Sequence, residues 1–286
     1  MDVFLQALVS GLSIGAMYVL LSVGVALVFG VLNVVNFAQG DFMTVAAYVG
    51  FTGVTTMGLG LFMSSLLMVP VLLAVGLVFF LVVVLPTSRR DHEVQFIATF
   101  GTALALQGLV QVFWGGNPVS IKRSTDSFAL GSVTIPEESL IRIVLTTVAM
   151  LALWGFLSGT KLGRRVKATA ADPVAAQLLG IDTRRMQLVA VLVSSVLTAA
   201  GGYALLTSTI LTPTVGFTMI FSAFTVVVLA GLGSLGGALV ASIVLGLAVS
   251  FTGTYVNVSV TSAVPFAVIF LVLAFRPTGL RGKAAV

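Results

Sequence analysis

Long apolar runs broken by short polar stretches dominate the chain. Between Val3 and Ser88 the one formal charge is Asp41, and between Gln187 and Phe275 there is none. Uncharged runs of that length exceed a single buried core helix and predict several membrane-spanning helices. In chain order, spans are predicted near residues 4–29, 42–57, 61–85, 94–113, 141–157, 188–206, 218–230, 238–251 and 261–275. The 218–230 run is short for a full crossing. The pattern therefore gives an all-α, polytopic membrane protein of eight or nine transmembrane helices, one of them broken or half-length. Residues 1–286 read as a single transmembrane domain.

The interruptions carry most of the information. Asn33, Asn36, Gln39 and Asp41 crowd the first one, where amides and a carboxyl beside apolar sequence need protein or water as partners. Two readings stay open there: an interfacial turn, which the Gly40-Asp41 pair favours, or a broken helix lining a polar cavity. Gly11 and Gly15 have the small-xxx-small spacing of close helix packing. Gln107 and Gln111, four apart, share one helix face and suit bonding to a neighbouring helix. The 114–140 stretch is the longest polar loop, and its segment Leu130–Ile135 alternates as a strand or hairpin arm does. Gly231-Leu-Gly-Ser-Leu-Gly-Gly237 is either irregular backbone lining a cavity or a hairpin whose glycines permit close packing.

The 159–186 stretch is a basic island between two apolar runs. Its second half carries signals for both ends of a short helix. Asp172 suits the N-cap, Pro173 the first helical position, and Gly180 the left-handed stop. A helix of about two turns is marginal alone in water, so a docked partner is expected to hold it.

Composition agrees with the pattern. The 286 residues are 58% apolar and only 8% charged, and mean hydropathy is +1.18. Soluble domains carry about a quarter charged residues. The net charge of +5 does not indicate nucleic acid, because the basic residues sit at the ends of apolar runs and no nucleic-acid motif is present. One set of alternate loops and the tail collects Arg89, Arg90, Lys161, Arg164, Arg165, Lys167, Arg184, Arg185, Arg276, Arg281 and Lys283. The other set has Lys122, Arg123 and Arg142. Basic residues favour the cytoplasmic side, which places the 159–186 loop inside and the 114–140 loop outside. With nine spans the N-terminus faces outward. It lacks a basic flank and a cleavage site, so the first span is expected to act as its own insertion signal.

Catalytic chemistry is missing. There is no cysteine and one histidine, His92, which argues against a metal site. The glycine-rich 231–237 stretch lacks the Lys-Ser/Thr ending of a phosphate loop. Asp41 is the one ionisable candidate for a proton relay inside the apolar runs. A membrane protein without energy chemistry of its own, yet with an ordered cytoplasmic helix, points to an energy source on another chain.

Four blocks then carry a resemblance: Gly30-Val-Leu-Asn-Val-Val-Asn-Phe-Ala-Gln-Gly-Asp41 with Tyr48, Gly163–Asp182, Leu229–Ala238, and Phe275-Arg-Pro-Thr-Gly-Leu-Arg-Gly282. In this order, over nearly the whole length, they resemble the LivH-type permease subunits of branched-chain amino-acid ABC importers. The 163–182 block is the most specific. One position departs from the family pattern: Gln39 stands where histidine is frequent, which leaves substrate preference open.

The resemblance implies a permease subunit in a multi-pass inner (plasma) membrane location, with no enzymatic activity and no cofactor of its own. It would work with a second related permease subunit, two cytoplasmic ATPases carrying ATP and Mg, and an external solute-binding protein. Asp172, Pro173, Ala175, Ala176, Leu178, Leu179 and Gly180 would form the coupling helix against an ATPase. Asn33, Asn36, Gln39 and Asp41 would lie on the translocation path. Alternatives are an ABC permease for urea, amides or small carboxylates, or a self-sufficient channel or facilitator for a small neutral solute.

Overall fold

The computed structural model describes residues 2–88, 90–121, 127–130, 133–208 and 210–275, with side chains in 127–134 left out of account. Lys122, Arg123, Arg89 and the basic tail, all used above to orient the chain, lie outside the described residues.

Twelve helices follow one another: α1 (Asp2–Leu32), α2 (Gln39–Thr55), α3 (Leu61–Phe79), α4 (Leu85–Thr87), α5 (His92–Trp114), α6 (Glu137–Gly159), α7 (Lys161–Ala171), α8 (Pro173–Leu178), α9 (Thr183–Ser208), α10 (Val215–Ala230), α11 (Leu235–Tyr255) and α12 (Val264–Phe275). A π-helical turn, Phe80–Val84, joins α3 to α4, and a 3₁₀ turn, Val258–Ala263, leads into α12. Between α5 and α6 lies a hairpin of β1 (Ser127–Leu130) and β2 (Val133–Pro136), in register Leu130 to Val133, where a strand arm was expected.

Seven helical stretches among the described residues are long and apolar enough to cross a membrane. Two more, α2 with 17 residues and α10 with 16, are shorter. The half-length helix expected at 218–230 is α10, and α2, predicted at 42–57, is a second short one.

Helix α1 is the central post, buried along most of its length and packed on α11, α9, α10 and α6. Glycines allow the closest of these contacts. A Cβ on Gly11 would lie 2.9 Å from the Leu247 Cα, and one on Gly15 3.0 Å from the Ile243 Cα. The small-xxx-small pair therefore serves backbone-to-backbone packing. Helices α5, α6 and α12 lie at the periphery and expose most of their surface.

Gly231 (φ 86°) and Gly233 (φ 81°) turn the chain tightly from α10 into α11, and Ser234 caps the next helix by accepting from the Gly237 N–H at 3.1 Å. Gly233 also lies against Gly30 of α1. Of the two readings of this glycine block, the packed hairpin is the one observed.

Candidate functional site

The break between α1 and α2 buries Asn36 and Ala38 and leaves Asn33 exposed. Asn33 ends α1 in the left-handed region (φ 56°), a conformation that asparagine tolerates better than most residues. Residues 34–38 then run without helix up to Gln39. Asn36, Gln39 and Asp41 are all at most 2% exposed and so face protein. Gln39 also lies beside Gly24, six residues before Gly30 on α1. At 1.5 Å per residue that places the tip of the Gln39 side chain about 9 Å along α1 from Gly30. A polar segment buried there persists because it finds protein partners.

Asn36 and Gln39 supply those partners together. The Asn36 Oδ1 accepts from the Ala38 N–H at 3.1 Å, and its Nδ2 donates to Gln39 Oε1 at 2.9 Å. Gln39 Nε2 donates in turn to Ser194 Oγ at 2.8 Å and to Thr198 Oγ1 on α9. Gln39 thereby fastens α2 to α9. Asp41 points elsewhere: its carboxyl meets the Gln107 amide of α5, and neither makes a hydrogen bond of good geometry. Gln111, on the predicted shared face, is exposed. Of the four candidates, Asn36 and Gln39 form one network, Asp41 faces α5, and exposed Asn33 lines a separate cavity. Ser194 and Thr198 escaped the sequence reading because isolated hydroxyls in a span carry no distinguishing signal.

Helix α10 begins against the start of α2. A Cβ on Gly216 would lie 2.5 Å from both the Gly40 carbonyl oxygen and Thr44 Oγ1. The two short helices thus start at one depth and diverge, α2 running beside α9 toward Trp114, whose Nε1 donates to Thr52 Oγ1 at 2.6 Å.

The second candidate region is the basic island. It holds two helices where the sequence signalled one. Thr160 caps α7 by accepting from the Gly163 N–H at 2.9 Å, and Val166 and Thr169 are buried. Arg164 bonds back to the Ser158 and Gly159 carbonyls and Lys167 to Ser158 Oγ, so these side chains tie α7 to the end of α6. The packed face of α7 is Gly163, Val166 and Thr169.

Helix α8 has the predicted ends but is shorter, at six residues. Asp172 Oδ1 accepts from the Val174 and Ala175 N–H groups, both at 2.9 Å. Gly180 takes φ 76°, with its N–H on the Gln177 carbonyl and the Ile181 N–H on the Ala176 carbonyl. Gln177 Nε2 donates to Thr183 Oγ1 at 2.9 Å, which latches α8 onto α9. Ala176 faces inward, while Leu178 is 85% and Leu179 80% exposed, and Val174 is exposed as well. Pro173 and Ala175 are exposed too. The capped turn thus holds Leu178 and Leu179 away from the rest of the chain.

Among the described residues no three His, Cys, Asp or Glu side chains gather as metal ligands would.

Comparison with known proteins agrees with this picture. Residues 7–273 match the family described as branched-chain amino acid transport system / permease component. The chain is 30% identical over 301 residues to the high-affinity branched-chain amino acid transport system permease protein LivH of Salmonella typhimurium, across 99% of this chain and 97% of that one. It is 29% identical over 298 residues to the corresponding BraD of Pseudomonas aeruginosa, with the same coverage. A solved ABC transporter assigned to the metal-chelate type, in an inward-facing conformation, shares the fold with a TM-score of 0.55 at 16% identity, covering 96% of this chain and 88% of that chain.

Proposed function

The chain belongs to the branched-chain amino acid transport permease family as a membrane-spanning subunit of an ABC importer, and from that premise we propose how it is energised and what it carries. It sits in the inner membrane as a multi-pass protein, pairs with a second related permease subunit, and receives solute from an external binding protein. Two cytoplasmic ATPases bind ATP and Mg and do the hydrolysis. The solute is a branched-chain amino acid, as the names of the relatives suggest.

The observation that supports this reading best is α8. Its capped ends and its exposed Leu178 and Leu179 suit it to the groove of an ATPase. Closure of the ATPases on ATP then displaces α8 and, through the Gln177–Thr183 latch, the start of α9. Such a switch works only if α8 contacts the two ATPase states differently. Asn33, Asn36, Gln39 and Asp41 stand near the break where α2 begins, and movement of α9 reaches Gln39 through Ser194 and Thr198.

Reconstitution tests the reading. The purified chain alone is expected to leave liposomes tight to leucine, while the complex with its ATPases imports leucine only with ATP. Full-rate downhill flux through the chain alone would establish a facilitator instead.

A further inference from the structure

One feature of the membrane face is left over by the coupling mechanism. Phenylalanine rings form a continuous ladder across four parts of the chain: the break before α2, α5, α10 and α12. Phe37 of the break meets Phe96 of α5 at 4.8 Å between centroids, Phe96 stacks on Phe100 at 6.1 Å, and Phe100 meets Phe217 of α10 at 6.2 Å. Phe217 meets Phe221 at 4.9 Å, and Phe221 meets Phe266 of α12 at 5.8 Å. None of these rings is buried in the chain, and Phe96 and Phe266 are about half exposed.

Acyl chains are a poor cover for this face. The ladder starts at the non-helical break and passes the first turn of α10, where Thr214 and Thr218 are exposed. That turn lies beside Gly40 at the start of α2. Irregular backbone and a helix start at membrane depth belong against protein or a wetted cavity. The lower end of the ladder opens into such a cavity, of about 440 Å³, where Phe37, Phe96 and Phe224 face Asn33 and His92. Its volume is in the range of small-molecule sites, and its mostly apolar lining with a few polar groups suits an amphipathic solute.

We propose that the phenylalanine ladder and this cavity form the cytoplasmic half of the translocation passage, and that the rings select a zwitterionic solute with an aliphatic side chain. Aromatic faces favour apolar area and also accept an ammonium group, whereas a small polar amide gains little from them. This inference rests on the importer reading and adds the residues that select its solute.

The absence of cysteine permits a direct test in inside-out vesicles containing the assembled permease–ATPase complex. Single variants Phe100→Cys, Phe217→Cys, Phe221→Cys and Phe266→Cys, on three helices, are exposed to a charged, membrane-impermeant thiol reagent. Trp154→Cys on α6 serves as a lipid-facing control. Ladder positions are expected to react in at least one nucleotide state, and leucine is expected to slow them severalfold more than glycine or urea does. Lack of reaction in every state would mean that lipid or a partner helix covers the face, and would overturn the proposal. Equal protection by leucine and urea would overturn the selective role. ATP-driven leucine uptake by the same complex is measured in parallel: intact uptake with unreactive ladder positions sinks this inference alone, and ATP-independent uptake sinks the importer reading.

Discussion

Gly40 and Gly216 touch backbone to backbone where the two short helices begin, with room for no side chain on either. A Cβ on Gly216 would stand 2.5 Å from the Gly40 carbonyl oxygen, and one on Gly40 3.0 Å from the Ile220 Cβ. The contact fixes the depth at which α2 and α10 start, and with it the position of the polar break. Gly216→Ala is expected to destabilise the protein by about 1–3 kcal/mol through overpacking against a carbonyl that cannot move alone. Thermal unfolding in detergent measures this, and an unchanged Tm would show that the helices part at no cost.

Gln39 offers a sharper comparison. Replacing it with leucine removes its bonds to Asn36, Ser194 and Thr198 and leaves buried polar groups without partners, at a cost of about 1–3 kcal/mol for each group orphaned. Gln39→His keeps a donor for α9 and is expected to retain most of the stability. Equal Tm values for the two variants would argue that the network contributes nothing.

Reagent accessibility distinguishes the four polar residues of the break. Asn33→Cys is expected to react readily with an aqueous thiol reagent from the cytoplasmic side, because Asn33 is exposed at the cavity mouth. In the conformation seen here Gln39→Cys and Asp41→Cys are expected to react far more slowly, since both positions are 1% exposed. ATP-bound ATPases are expected to raise the rate at Gln39 if α9 moves with α8. A rate at Gln39 that matches Asn33 in the resting state would contradict the buried network.

The cap on α8 is testable separately from its docking face. Asp172→Ala loses two N–H partners and is expected to cost this helix about 1 kcal/mol, whereas Asp172→Asn keeps an acceptor. Uptake by the Ala variant is expected to fall to an intermediate rate and that of the Asn variant to stay near the parent. Identical uptake in the two would remove the cap from the mechanism.

The sequence carried the features that depend on local chemistry. Asp172, Pro173 and Gly180 announced both ends of α8 because capping is decided within a few residues. Gly11 and Gly15 announced a close helix contact, though not that α11 was the partner. What escaped was long-range. Nothing near Asn36 reveals that Ser194 and Thr198, more than 150 residues later, satisfy Gln39, so a turn at the surface was the cheaper reading. Phe96 and Phe100, like Phe217 and Phe221, are spaced four apart and share a helix face, but only the folded chain brings the two pairs together. The shortness of α2 was legible in the predicted 42–57 span, but its start against Gly216 of α10 was not.

ATP-driven leucine uptake by the reconstituted complex carrying Leu178→Asp tests the central claim most directly. The side chain is 85% exposed, so the substitution leaves the permease fold and its assembly in the membrane intact while placing a charge on the docking face. Loss of uptake is expected, with unchanged expression and unchanged affinity for the solute-binding protein, and the same for Gly180→Pro, which breaks the left-handed stop. Normal uptake by the Leu178→Asp complex would contradict a coupling role for α8.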